Sequence, residues 1–216
     1  MMKLLQVVMA RSLWLFPTGE ANPRGLSMLH VLPMIKERYG FMDVPDVREA
    51  VVDDQKAMSF RRGRYSTSEG DLEVSFALYR DGLVADTRHS TAMTDAFLED
   101  LLGWLVESER LVRPSAIRKG YLSNVSFTTD GSLVKFHRAF ATLAKAVSAA
   151  TYLPRASFDL TGLTFGQDPA GSGNSPVFRI ERDSTEPFDS KRYFSSAPLD
   201  TDQHLGVLTD FLKAIE

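Results

Sequence analysis

The stretch DLEVSFALYRDGLVADTR, residues 71–88, leaves this chain little freedom. Leu72, Val74, Phe76 and Leu78 alternate with Glu73, Ser75, Ala77 and Tyr79, the period-two pattern of a strand with one buried face. Asp81-Gly82 follows, and a two-residue hairpin turn of type I′ needs positive φ at both central positions, which Asp-Gly accepts. The spacing predicts a loop there, pairing Leu78 with Ala85 and Phe76 with Thr87. Just upstream, SEGD turns a third strand, FRRGRYST, onto the other side of the same hairpin. The result is a three-stranded meander over about 57–89.

In that meander Arg61, Arg62 and Arg64 stand opposite Glu69, Asp71 and Glu73, so residues 59–73 carry three charges of each sign. Opposite charges across an antiparallel pair help fix register, and they argue against reading FRRGRYSTSEGD as a clamp for a polyanion. Gly63 marks a place for a bulge, which would turn Tyr65 to the same face as Phe60.

The rest of the chain is punctuated clearly. Leu4–Phe16 reads as a strand or strand pair. Leu26–Tyr39 has helical spacing, with Pro33 inside it and Gly40 as its stop. Pro45–Asp54 reads as a short helix capped by Asp43. Residues 94–109 form an acidic amphipathic helix with Phe97, Leu98, Leu101, Leu102, Trp104 and Leu105 on one side. The strand GYLSNVSF leads to a helix capped by Ser132 and running to Ala150, with Leu133, Phe136, Phe140, Leu143 and Val147 as its apolar side. Phe158–Phe165 reads as a strand bulged at Gly162. A flexible loop follows over 166–176, then a hairpin of Val177–Arg182 with Lys191–Ser195, and a last helix over Asp202–Ile215. Strands precede a helix three times, over 58–109, 120–150 and 156–215. This order predicts an α+β fold, a mostly antiparallel sheet with about four helices packed on it.

A chain of 216 residues with 44% hydrophobic content can bury a full core, and a single mixed domain over 1–216 is expected. The formal charge of −3 gives no overall basic excess of the kind polyanion binders carry. Charge is segregated, however. Residues 91–110 hold one basic and five acidic side chains, 111–155 hold seven and one, and 156–216 hold five and ten. Such blocks either present a binding face or meet each other in the fold. Absence of cysteine removes disulfides and thiolate chemistry. Lys3 and the short run Leu4–Ala10, interrupted by Gln6, read as a buried first strand rather than a leader. No stretch reaches the ~20 apolar residues of a spanning helix. A soluble, cytoplasmic protein with no membrane partner is expected.

Lys135, Arg138 and Lys145 form a basic stripe on the 133–150 helix, able to meet successive phosphates or an acidic partner. RRGRY, RKGY (118–121) and KRYF (191–194) each put cations beside a tyrosine, and on one sheet face they would make a stacking platform for single-stranded nucleic acid. Pro45-Asp46 with Asp54-Gln55-Lys56 matches the PD…(D/E)xK pattern of a large nuclease superfamily, in which two carboxylates hold Mg²⁺ and a lysine orients the attacking water. His30, His89, His137 and His204 are scattered, and no two share one element at ligand spacing. His89, Ser90 and Asp86 lie too close in sequence for independent triad roles. GSGNS has no lysine in phosphate-loop position.

The sequence therefore predicts a non-enzymatic protein-interaction or assembly component acting through charged surfaces, with a protein partner or self-association. No catalytic residue, metal or cofactor is assigned. The partner-binding residues are Lys135, Arg138, Lys145, Arg118, Lys119 and Arg64. One alternative is a nucleic-acid-binding protein using the basic 111–155 segment. A second is a Mg-dependent nuclease of the PD-(D/E)xK type built on Asp46, Asp54 and Lys56.

Overall fold

A computed structural model describes residues 1–46, 57–68, 70–131, 133, 138–151, 158–166 and 177–214. The strands are β1 Met2–Leu15, β2 Met58–Thr67, β3 Gly70–Tyr79, β4 Gly82–Thr87, β5 Arg118–Thr129, β6 Gly162–Phe165, β7 Phe178–Arg182 and β8 Arg192–Ala197. The helices are α1 Thr18–Ala21, α2 Met28–Tyr39, α3 Thr91–Glu109, α4 Arg138–Ala150 and α5 Thr201–Ala214. The strands form an antiparallel sheet in the order β2-β3-β4-β1-β5-β8-β7-β6, and the fold is α+β.

One sequence of elements is run through twice. Strand, helix, three strands and helix occur first as β1, α2, β2, β3, β4, α3 and again as β5, α4, β6, β7, β8, α5. Strand order repeats too, β2-β3-β4-β1 in the first run and β6-β7-β8-β5 in the second. The rounds expected at 120–150 and 156–215 are thus a single round, because the helix between them is a crossover within it.

The chain divides into two compact units. The first comprises Met1–Val8, Asn124–Pro198 and Asp202–Glu216, and the second comprises Met9–Ser123 with Leu199–Thr201. The core of the second unit is aromatic at its centre. Tyr39 meets Phe97 at 5.0 Å between ring centres, Phe41 meets Phe60 at 5.3 Å, and Phe60 meets Phe76 at 5.4 Å. Leu98, Leu101 and Leu102 of α3 and Val31, Leu32 and Ile35 of α2 complete it. The core of the first unit gathers Val125, Phe127, Leu133, Ile180, Tyr193, Leu208 and Leu212.

Helix ends follow local chemistry. Ser27 Oγ accepts from Leu29 N at the start of α2, and Gly40 closes that helix in the left-handed region. Ser90 Oγ accepts from Met93 N at the start of α3. Thr91 N donates to Thr201 Oγ1 at 3.0 Å, and Thr201 N donates to Thr91 Oγ1 at 2.9 Å, so two helix-initial threonines satisfy each other. Three residues further on, each helix pairs a buried polar side chain with a strand serine, Thr94 with Ser12 at 2.7 Å and His204 with Ser195 at 2.9 Å.

The meander forms as expected, with two corrections. Leu78 pairs with Leu83, Phe76 with Ala85 and Val74 with Thr87, so Arg80 and Asp81 are the loop and the register differs by two residues. Buried faces are preserved because the slip is even. Gly82 is needed for a different reason: a Cβ there would stand 2.2 Å from the Trp14 carbonyl oxygen of β1. The bulge lies one residue earlier than Gly63, where Arg61 and Arg62 together face Ser75 and Arg62 takes φ 54°. It does bring Tyr65 round to the side of Phe60, against Phe97. Gly63 lies under the Phe41 ring.

Two glycine substitutions separate these roles. Gly82→Ala forces backbone apart and is expected to lower the unfolding free energy by at least about 2 kcal/mol. Gly103→Ala, in mid-helix with open space around it, is expected to raise it by about 0.5–1 kcal/mol. Urea denaturation followed by circular dichroism measures both, and equal effects would show that close approach at Gly82 is unimportant.

Candidate interaction surface

The acidic and basic blocks meet inside the second unit. Asp95 of α3 accepts from Trp14 Nε1 at 2.8 Å, from Lys119 Nζ at 2.9 Å and from Tyr121 Oη at 2.9 Å. Burial alone would raise its pKa, but hydrogen bonds from Lys119, Trp14, Ser12 and Tyr121 together outweigh burial and hold it below the usual carboxylate range. Tyr121 is pushed up to about 12 by burial and by the same carboxylate. Lys119 Nζ also lies 4.3 Å from the centre of the Trp14 ring. Glu99 pairs with Arg113, and Asp100 takes Arg38 at 3.1 Å and Tyr39 Oη at 2.6 Å.

The remaining sequence-derived residues have varied fates. Lys135 and the side chain of Arg138 lie outside the described residues. Lys145 is exposed on α4 and Arg118 is exposed at the start of β5. Arg64 is exposed and lies 3.6 Å from Asp71, with Glu73 as its cross-strand partner. Arg62 instead turns to Asp43, donating at 2.9 and 2.7 Å, while Asp43 and Arg61 form an isolated bridge. The expected pairing of the arginine strand with β3 alone is thus corrected, because the bulge re-aims Arg62.

The basic-aromatic platform is not assembled. Tyr65 packs on Phe97 and Tyr193 is fully buried beside Phe127, so these two rings turn into cores, while the half-buried Tyr121 spends its hydroxyl on Asp95. Asp46 is exposed, while Asp54 and Lys56 lie outside the described residues, as does the short helix expected over 45–54 beyond residue 46. Among the described residues no three of His, Cys, Asp or Glu are grouped to hold a metal ion. No helix among them is long and apolar enough to cross a membrane.

The most unusual surface belongs to α4. Its sequence, RAFATLAKAVSAA, is strongly apolar on one side, and an amphipathic helix normally buries that side. Here none of its described side chains is buried. Leu143 is 61% exposed and Val147 38% exposed, although both stand on the apolar side that the 3,4 spacing predicts. With Phe140, Ala144, Phe158 and Leu160 they line a groove of about 170 Å³.

The floor of this groove is held from below. Ser148 Oγ accepts from Phe158 N at 2.9 Å and donates to Ala144 O at 2.7 Å, tying the 158–160 segment to the helix. Arg182, nearly buried, donates to Asp159 Oδ2 at 2.7 Å, to Leu160 O at 3.2 Å and to Phe188 O at 2.7 Å. Its guanidinium also lies over the rings of Phe188 and Tyr193. Sequence reading passed over Arg182, yet the signal was present: in FRIER it shares the inward phase of Phe178 and Ile180. A cation in that phase must find acceptors inside.

His204 is fully buried in the same unit, and burial pushes its imidazole down to about 4. Ser195 Oγ donates to Arg179 O at 2.8 Å and so accepts from His204 Nε2–H. Nδ1 is then an unprotonated acceptor with no hydrogen-bond partner among the described residues. The Ser–His pair is closed to solvent, and Phe178 packs edge-on against the imidazole with 5.8 Å between ring centres. The unfolded histidine takes up a proton below about pH 6.5 whereas the folded one stays neutral to about pH 4, so its stabilising contribution is present above 6.5 and lost as pH falls. Between those values the protein is expected to lose about 3 kcal/mol more stability than His204→Gln. Urea titrations at several pH values, read by circular dichroism, test this, and parallel pH profiles would contradict it.

No protein-family model matches the chain, and no curated protein matches it either. Among solved structures the chain is similar to Methanococcus jannaschii TBP, with a TM-score of 0.48 and 12% sequence identity, over 99% of this chain and 97% of that one.

Proposed function

We propose that this chain is a non-enzymatic interaction or assembly component whose partner covers the apolar side of α4. One observation carries the reading. A thirteen-residue amphipathic helix presents Leu143 and Val147 to solvent beside a preformed apolar groove, instead of burying them. Contiguous apolar surface of this kind marks docking sites, and helix-in-groove recognition uses anchors at this spacing. Charge has a lesser part than the sequence predicts. Arg113 and Lys119 of the basic block are engaged by Glu99 and Asp95, and Lys145, exposed on α4 itself, is the described cation placed to orient a partner there.

The test is capture of partners by the tagged full chain from its own cell, with native mass spectrometry of the purified chain to detect self-association. The double substitution Leu143→Glu with Val147→Glu is expected to abolish the captured complex while the helical circular dichroism signal stays unchanged, because exposed positions tolerate charge. A monomer that captures nothing would remove the proposal. So would a complex that survives the double substitution. Capture that collapses after nuclease treatment, with steep salt dependence, would favour nucleic-acid binding instead.

A further inference from the structure

The second unit contains an opening of about 460 Å³ between α2 and α3, above strands β2 to β4. Its walls are apolar: Val31 and Ile35 come from α2, Phe76 from β3, and Leu101, Leu102 and Leu105 from α3. Side chains in such a core normally close on one another, since protein interiors leave few voids larger than a water molecule. The volume instead falls within the ~300–1,000 Å³ of small-molecule pockets.

The mouth is polar and selective in sign. Asn22 is tied to Leu26, donating to its carbonyl at 2.9 Å and accepting from its amide at 2.8 Å. Thr18 donates from both its amide and its hydroxyl to the carbonyl of Arg80, at 3.0 and 2.9 Å. That tie fixes the 80–81 turn against α1. Among the described residues Arg80 is the only charged one lining the opening; it is exposed and makes no ion pair with any of them. Among the described residues no carboxylate lines the opening to compete for that cation. An apolar cavity with a single cation at its rim fits a molecule with an apolar body and one anionic end.

We propose that this cavity binds a single-chain amphiphile of the medium-chain fatty-acid class, with its chain between α2 and α3 and its carboxylate at Arg80. The site lies within the second unit and is independent of the α4 surface in the first.

The experiment uses the full chain with decanoate and with decanol, each below its aggregation concentration, read by thermal unfolding and by native mass spectrometry. A ligand that binds only the folded state raises the melting temperature in a saturable way. One decanoate per chain is expected. Arg80→Ala, a surface change, is expected to weaken decanoate about tenfold and leave decanol unchanged. Leu102→Trp, which fills the cavity, is expected to abolish both, and Val31→Phe serves the same purpose if that variant shows no cooperative melt. Absence of saturable binding by either compound would overturn the proposal. Binding that persists in a folded, cavity-filled variant would also overturn it, and so would decanoate affinity indifferent to Arg80→Ala.

Discussion

A carboxylate that accepts from an indole, an ammonium and a phenol at once cannot move without stranding all three donors. Asp95 is in that position. It stands in the first turns of α3, and its donors come from β1 and β5, so one side chain fixes how the helix lies on two strands. The aromatic contacts of Phe97, two residues later, then follow: that ring meets Tyr39, Tyr65 and Phe76 because the helix is already seated. The same interaction decides what the surface offers. Lys119 would be a free cation in a basic block, but it is drawn over Trp14 and onto Asp95.

Arg182 does comparable work in the first unit with the opposite charge. Its guanidinium gathers a carboxylate and two carbonyls from segments on either side of β7. Buried ion pairs add little net stability by themselves, yet losing one partner costs several kcal/mol, so they act mainly as constraints on where chain segments lie. Here the constrained segment is 158–160, the wall that faces α4.

Much of this was legible in the sequence. Alternation gave β3 and β4, and the 3,4 spacing of Phe97, Leu98, Leu101, Leu102 and Leu105 gave α3, because both patterns report burial on one side. The register of the hairpin was not legible. Asp-Gly is a strong turn signal, and nothing local revealed that Gly82 is required by the carbonyl of Trp14, nearly seventy positions away in the chain. The fate of α4 was illegible for a related reason. Periodicity shows that Leu143 and Val147 share a side, but only tertiary structure shows whether the protein itself covers it. Charge segregation in a sequence leaves two alternatives open, a binding face or blocks that meet each other, and Asp95 with Lys119 and Glu99 with Arg113 meet within the fold.

The position of Trp14, held between Lys119 and Asp95, has a spectroscopic consequence. The chain's only other tryptophan, Trp104, lies in the same unit, packed on that unit's core under Arg38. Intrinsic tryptophan emission is therefore a private signal of the second unit, blind to the core of Phe127, Tyr193 and Leu208. Far-ultraviolet dichroism sees the helices of both. Superimposing the two curves from one denaturation reports directly whether the units unfold as one cooperative system or in sequence.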